Sequence, residues 1–106
     1  MFLCGLTNGL AHATRRYVSH LVSRIRSGVK YRTLIVDAVT HVVRARLDKA
    51  RAISYVRGFA ESQVPLKDQA IFIEVVETQL MNLHEGNMAR YRLRPSEFEA
   101  WLAEWR

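Results

Sequence analysis

The sequence has few of the residues that cross-link a chain, interrupt its helices or make its backbone flexible. It contains one cysteine, two prolines and five glycines among 106 residues. A single cysteine, Cys4, forms neither an internal disulfide nor a cysteine-based zinc site. No apolar run approaches the ~20 residues that a membrane-spanning helix needs. We therefore expect one reduced domain over residues 1–106 that has no transmembrane segment and works in the cytoplasm.

Motifs of known enzyme chemistry are also missing. None of the four histidines stands in a metal-binding spacing, and the sequence has no glycine-rich phosphate loop and no nucleophile elbow. One polar cluster near the C-terminus has two interpretations, phosphate-ester chemistry or a helix cap followed by a loop; it comprises Asn82, His84, Glu85, Asn87, Arg90 and Arg92. We favour the cap and the loop, and we expect no enzyme, no cofactor and no metal site.

Positive charge is what the sequence has in excess, and it is unevenly distributed. The chain carries 16 Lys and Arg against 10 Asp and Glu, a formal net charge of +6. Residues 1–60 hold eleven basic and two acidic residues, a net charge of +9, whereas residues 61–106 have a net charge of −3. We expect separate basic and acidic surfaces. A basic surface attracts phosphate, an anionic membrane or an acidic protein.

Hydrophobic spacing predicts an all-α fold with four helices. Apolar residues recur every three or four positions over residues 10–27, 31–59 and 65–84, and again in a short segment that starts at Ser96. Gly28 is suited to end the first helix, and Pro65 is suited to begin the third. Arg46 interrupts the apolar stripe of the second segment, so this segment is either one bent helix or two helices.

An extended, arginine-rich connector is predicted between the third and fourth helices, over residues 87–95. Within it, Arg90, Arg92 and Arg94 alternate with Tyr91 and Leu93, and this period of two is typical of extended backbone. The last helix follows it, and the spacing of Ser96 and Glu99 predicts a capping box at its start.

Two groups of apolar residues predict contacts between helices or between molecules. Ile71 and Val75 lie opposite the main stripe of the third helix, which is therefore a central core helix or an oligomer interface. Trp101 and Trp105 share one face of the last helix, which docks on its own domain or on a partner. From these patterns we expect a homo-oligomer, a dimer in the simplest case.

Nucleic-acid binding is the function that the charge pattern favours. Guanidinium groups with hydroxyls beside them on one helical face are typical phosphate ligands. The candidate contacts are Arg15, Arg16, Arg26, Lys30, Arg32, Arg90 and Arg92. Tyr17, Tyr31 and Tyr91 lie near arginines and either stack on unpaired bases or pack in the core, and for Tyr17 we favour core packing. The sequence thus predicts a small, basic, non-enzymatic module that binds DNA or RNA or acts as a regulator.

Two alternatives remain open at this stage. The same basic face suits an adaptor or inhibitor that binds an acidic protein. In addition, residues 1–36 contain no acidic residue, which is compatible with an amphipathic helix that lies on a membrane surface.

Overall fold

The all-α fold predicted from the sequence is confirmed in a computed structural model that describes residues 18–105. Helix α1 covers residues 18–30 of this range, and the later elements are α2 (Arg32–Arg44), α3 (Lys49–Gln63), α4 (Leu66–Met81), a 3-10 helix (Glu85–Tyr91) and α5 (Pro95–Trp105). Residues 18–105 contain no β-strand. None of the helices in this range is long and apolar enough to cross a membrane.

The core is built around α2. This helix contacts α3, α4, the 3-10 helix and α5. Its core face is a stripe of small and β-branched residues that are all buried, namely Ile35, Ala38, Val39, Val42 and Val43. Such side chains allow several neighbours to approach one helix closely, because they project little from its axis. The polar residues of α2 lie on its opposite face.

The junction between α1 and α2 differs from the sequence expectation. Gly28 does not end the first helix, which continues to residue 30. Helical hydrogen bonds run across the junction, from Tyr31 N to Ser27 O at 2.9 Å and from Ile35 N to Tyr31 O at 2.8 Å. Tyr31 is buried and packs edge-on against Phe72 of α4. The backbone departs from helical values at Tyr31, with φ of −107° and ψ of 24°, so the turn lies at this residue and not at Gly28.

The predicted second segment is divided into α2 and α3 at the position where Arg46 interrupts the apolar stripe. Leu47 N donates to Val42 O and Arg46 N donates to Val43 O, both at 3.1 Å, which is the Schellman pattern of a helix C-terminus. Arg46 takes the left-handed conformation there, with φ of 54°. Asp48 then caps α3 by accepting a hydrogen bond from Arg51 N.

The predicted extended connector is instead the 3-10 helix and a left-handed turn. The side chains of His84 and Asn87 form a capping box that starts the helix. Arg92 ends it with φ of 55°, and Leu93 N donates to Met88 O. Burial does alternate with a period of two, since Tyr91 and Leu93 are buried while the three arginines are exposed. A tight turn thus gives the same alternation that an extended strand would give.

The predicted capping box of Ser96 and Glu99 is wrong. Helix α5 begins at Pro95, which fits the first helical position because it has no N–H to satisfy. Arg94 O accepts the first helical hydrogen bond, from Phe98 N, and Arg94 N donates to the Glu97 carboxylate at 3.1 Å. Glu97 therefore accepts the backbone hydrogen bond at the start of α5 that was expected of Glu99.

Helix α4 is apolar on two sides because it has neighbours on two sides. It contacts α2 and α3 on one side. On the other side, α1 hydrogen-bonds to it through His20 and Arg24, which reach Glu74 and Thr78. Val75 is buried at 7% exposure, and Ile71 is half-buried beside α1. Of the two explanations that the sequence allowed, the fold supports a central core helix.

Candidate nucleic-acid interface

Four arginines line one groove between α2 and the 3-10 helix. The groove has a volume of about 410 Å³, and we call it the arginine groove; its arginines are Arg32, Arg44, Arg90 and Arg92. Thr33, Val36, Asp37, Thr40 and Tyr91 complete its lining. A smaller cleft of about 220 Å³, also lined by Arg32 and Arg90, extends it to Gly28 of α1. The structure thus brings together three of the basic residues predicted from the sequence and adds Arg44.

Hydrogen bonds from α2 hold the far wall of the groove in place. The Thr40 hydroxyl donates to Tyr91 O at 3.1 Å, and Arg44 Nη2 donates to Arg92 O at 2.9 Å. From the other side, the buried Tyr91 hydroxyl donates to Gln79 of α4 at 2.7 Å. Burial also raises the pKa of Tyr91. The backbone that carries Arg90 and Arg92 is therefore tied to two helices.

The groove is strongly basic. Asp37 is the one carboxylate among its lining residues. Arg44 pairs with Glu97 at 3.1 Å, so part of its charge is already compensated. Arg32, Arg90 and Arg92 form no ion pair with the side chains that the structure describes, and all three residues are exposed. An anion in the groove would therefore meet an excess of guanidinium charge.

Arg44 is a groove residue that the sequence prediction missed, although the sequence contained a signal for it. Arg32, Val36, Thr40 and Arg44 are spaced four residues apart along α2, and residues at this spacing share one helical face. All four line the groove. The partner wall comes from a segment about fifty residues later in the chain, and no local pattern connects the two.

Arg26 and Lys30 belong to a different part of the surface. They line an open cleft of about 590 Å³ between α1 and α4, together with Lys67, Asp68 and Glu74. We call this the α1–α4 cleft. The structure therefore does not unite Arg26 and Lys30 with Arg90 and Arg92 in one groove. Arg15 and Arg16, together with Tyr17, lie outside the described residues.

The expected separation of basic and acidic surfaces is wrong for the described residues. Four of the five ion pairs join a residue of the basic half to an acid of the acidic half: His20–Glu74, Arg24–Glu74, Lys30–Asp68 and Arg44–Glu97. The reason is the packing of α1 against α4 and of α2 against α5, which brings the two halves of the sequence side by side.

Asp68 holds a small hydrogen-bonded cluster at the edge of the α1–α4 cleft. The Tyr31 hydroxyl donates to Asp68, and Lys30 Nζ lies 3.6 Å from the same carboxylate. The hydrogen bond from Tyr31 and the charges of Lys30 and Lys67 lower the pKa of Asp68 below its usual 3.8. The same hydrogen bond raises the pKa of Tyr31. Both shifts reflect one hydrogen bond, which stabilises the folded state at neutral pH, where the Asp68 carboxylate is charged and the Tyr31 hydroxyl is protonated.

We expect replacement of this carboxylate to flatten the acid side of the stability profile. A carboxyl group whose pKa is lower in the folded state stabilises the fold above its unfolded pKa, and this stabilisation is lost as the pH falls through the folded pKa. Asp68→Asn should therefore lose less unfolding free energy than the parent between pH 7 and about pH 2, as measured by urea unfolding. Glu99→Gln, at an exposed acid of α5, is the control. An unchanged acid profile in Asp68→Asn would contradict the role given to this cluster.

Of the tyrosines named as candidates for base stacking, the two that the structure describes are not available for it. Tyr31 and Tyr91 are both buried, at 8% and 1% exposure, and both hydroxyls are hydrogen-bonded inside the protein. Aromatic stacking on unpaired bases needs an open ring face. The groove therefore offers guanidinium groups and hydroxyls, which are ligands for phosphates.

The predicted interface residues lie mainly inside the described domain. Trp101 is buried at 1% exposure, and Trp105 is half-buried with its ring centroid 4.9 Å from that of Trp101. Ile71 and Val75 face α1, as described above. The homodimer therefore stays a prediction, and the surfaces that motivated it now have a partner within the chain.

The polar cluster around His84 is used to fix the backbone. His84 Nδ1 accepts a hydrogen bond from Gly86 N, and the Asn87 side chain bonds to His84 N and to Asn82 O. The cluster therefore caps backbone groups, as one interpretation of the sequence expected, but it does so at the start of the 3-10 helix, and this helix stands where a loop was expected. Among the side chains that the structure describes, which exclude that of Glu85, no three of His, Cys, Asp or Glu lie close enough to hold a metal ion.

Comparisons with known proteins provide no relative. No family model matches the chain, and no curated protein or solved structure is significantly similar to it. The function is therefore inferred from the residues and their arrangement alone.

Proposed function

We propose that the protein is a non-enzymatic, cytoplasmic module that binds nucleic acid, with the phosphate backbone lying in the arginine groove. The observation that carries this proposal is the presence of four arginines in one groove, drawn from two distant segments of the chain. Guanidinium groups bind phosphate oxygens with two parallel hydrogen bonds, which makes arginine the preferred residue for this task.

The rest of the groove supports phosphate contacts rather than base recognition. Thr33 adds an exposed hydroxyl next to Arg32, and hydroxyls commonly bind the phosphate backbone. The tyrosine that lines the groove in the described part of the chain, Tyr91, is buried beneath it and presents no open ring. We therefore propose that the protein binds duplexes at least as tightly as single strands and with little sequence preference.

Binding should depend steeply on salt. Each phosphate that a cation neutralises releases condensed counterions, so the logarithm of affinity falls with the logarithm of salt by about 0.9 per contact on duplex DNA. Four contacts would weaken binding by about two decades between 50 and 200 mM salt. Fluorescence anisotropy with labelled random-sequence duplex and single strand, at these two salt concentrations, measures this dependence.

A second candidate function is the binding of an acidic protein by the same groove. It is favoured by the pairing of basic residues of the first half of the sequence with acids of the second half. In the groove, Arg44 binds the carboxylate of Glu97, and outside it Arg24 and Lys30 each lie 3.6 Å from the carboxylates of Glu74 and Asp68, respectively. Poly-glutamate is therefore included as a third probe in the same anisotropy experiment. Binding of the duplex with weak or no binding of poly-glutamate supports the nucleic-acid function. Binding of poly-glutamate alone, or no binding of any probe at 50 mM salt, overturns it.

A further inference from the structure

Helix α1 turns its apolar residues toward solvent. Five large aliphatic side chains on it are exposed, and we call them the α1 apolar stripe: Val18 (47%), Leu21 (38%), Val22 (38%), Ile25 (59%) and Val29 (75%). The intervals of three and four residues between them place them along one face of the helix. Single exposed aliphatic residues are ordinary on protein surfaces, but a continuous stripe marks an interaction site.

The contacts that α1 makes with its own domain are mainly polar, and of the stripe only Leu21 and Ile25 also line an open cleft beside Val75 of α4. His20 Nε2 lies 2.9 Å from the Glu74 carboxylate, and Arg24 Nη2 donates to the Thr78 hydroxyl at 3.2 Å. Ser27 lies on the same face and is buried at 5% exposure. Successive residues are turned by about 100° in an α-helix, so Val18, Val22 and Val29 point away from α4. Thus α1 reverses the usual arrangement, in which the apolar face of a surface helix packs on the core.

The charge around the stripe indicates what covers it. Arg26 and Lys30 are exposed and follow Ile25 and Val29 directly, so they flank the stripe about 100° further around the helix. Lys30 also lies 3.6 Å from the Asp68 carboxylate, which compensates part of its charge. Residues 1–36 contain six basic residues and no acidic one. If the stripe of a second copy docked here, the same cations would flank both stripes and repel one another. An anionic lipid surface instead matches both features, since it has an apolar interior and negative headgroups.

We propose that α1 binds an anionic membrane surface. The helix lies in the plane of the interface, with the α1 apolar stripe at the boundary of headgroups and acyl chains and with Arg26 and Lys30 on lipid phosphates. Both components contribute in such helices, because apolar burial and attraction to anionic lipid act together. Because this site and the arginine groove consist of different residues, either proposal can be overturned without affecting the other.

Vesicle co-sedimentation of the full chain tests this proposal, with vesicles that contain phosphatidylglycerol compared with pure phosphatidylcholine. The stripe variant is Ile25→Glu/Val29→Glu. Its matched control is Leu66→Glu/Met81→Glu, which places the same two charges at aliphatic residues that are 84% and 71% exposed elsewhere on the surface. Circular dichroism confirms that both variants are folded. Arg32→Glu/Arg90→Glu, in the groove, is measured as a third variant.

We expect the parent, the control and the groove variant to bind the anionic vesicles and to bind pure phosphatidylcholine weakly. We expect the stripe variant to bind the anionic vesicles at least ~10-fold less tightly than the parent, while it keeps its affinity for duplex DNA. The proposal is overturned if the stripe variant binds these vesicles as the parent does, or if the parent binds neither vesicle. A parent dimer that the stripe variant dissociates, without vesicle binding, would assign the stripe to a second copy instead.

Discussion

Replacement of Trp101 by alanine should lower the free energy of unfolding by about 3–5 kcal/mol. Trp101 is 1% exposed and belongs to the main core, and its ring lies near those of Phe98 and Trp105. It is the largest of the side chains that are completely buried. Since small domains are stable by only about 5–15 kcal/mol, this loss would remove much of the stability of the fold.

Two other substitutions in α5 provide a comparison for this loss of unfolding free energy. Ser96 is exposed and does not form the predicted cap, so Ser96→Ala should change stability by less than about 0.5 kcal/mol. Glu97→Ala removes the bond to Arg94 N and the pair with Arg44, and about 1 kcal/mol is expected. Urea unfolding gives all three values. If Trp101→Ala were as stable as the parent, α5 would not be packed on its own domain.

Reversing two charges in the arginine groove should weaken duplex binding by about 100-fold or more. The variant is Arg32→Glu/Arg90→Glu, because these two residues line both the groove and its extension toward α1. Hydrogen bonds to charged groups contribute about 1.5–3 kcal/mol each, so the loss of two corresponds to at least this factor. Both residues are exposed, and the fold should remain intact.

The control for this variant is Arg51→Glu/Arg57→Glu on α3. Both residues are exposed and neither lines the groove, and the change in net charge is the same. We expect the control to bind the duplex within a few-fold of the parent, because distant surface charges act only through a screened field. Equal losses in the two variants would mean that overall charge, rather than the groove, determines binding.

Local patterns predicted most of the helices because each helix carries its own signal. Helix α4 was expected over residues 65–84 and extends over Leu66–Met81. Arg46, at the interruption of the apolar stripe, lies in the turn between α2 and α3. The 3-10 helix was missed because its burial alternates with a period of two, although His84 and Asn87 at a spacing of three were a usable capping signal.

The arrangement of charges could not be predicted in the same way. His20 and Arg24 on α1 have the same spacing of four as Glu74 and Thr78 on α4, but this match has meaning only once the two helices are side by side. The apolar periodicity of residues 10–27 predicted a helix with one apolar face, but periodicity does not show what that face contacts. Likewise, the arginine groove exists only because Thr40 and Arg44 bind the backbone at residues 91 and 92.

Amide chemical shifts in NMR can locate the bound duplex on the surface of the protein. On titration of the labelled full chain with a short duplex at low salt, we expect shifts at Arg32, Thr33 and Thr40 on α2 and at residues 89–92. Shifts confined to the α1–α4 cleft or to the α1 apolar stripe, with the groove residues unchanged, would contradict binding in the arginine groove.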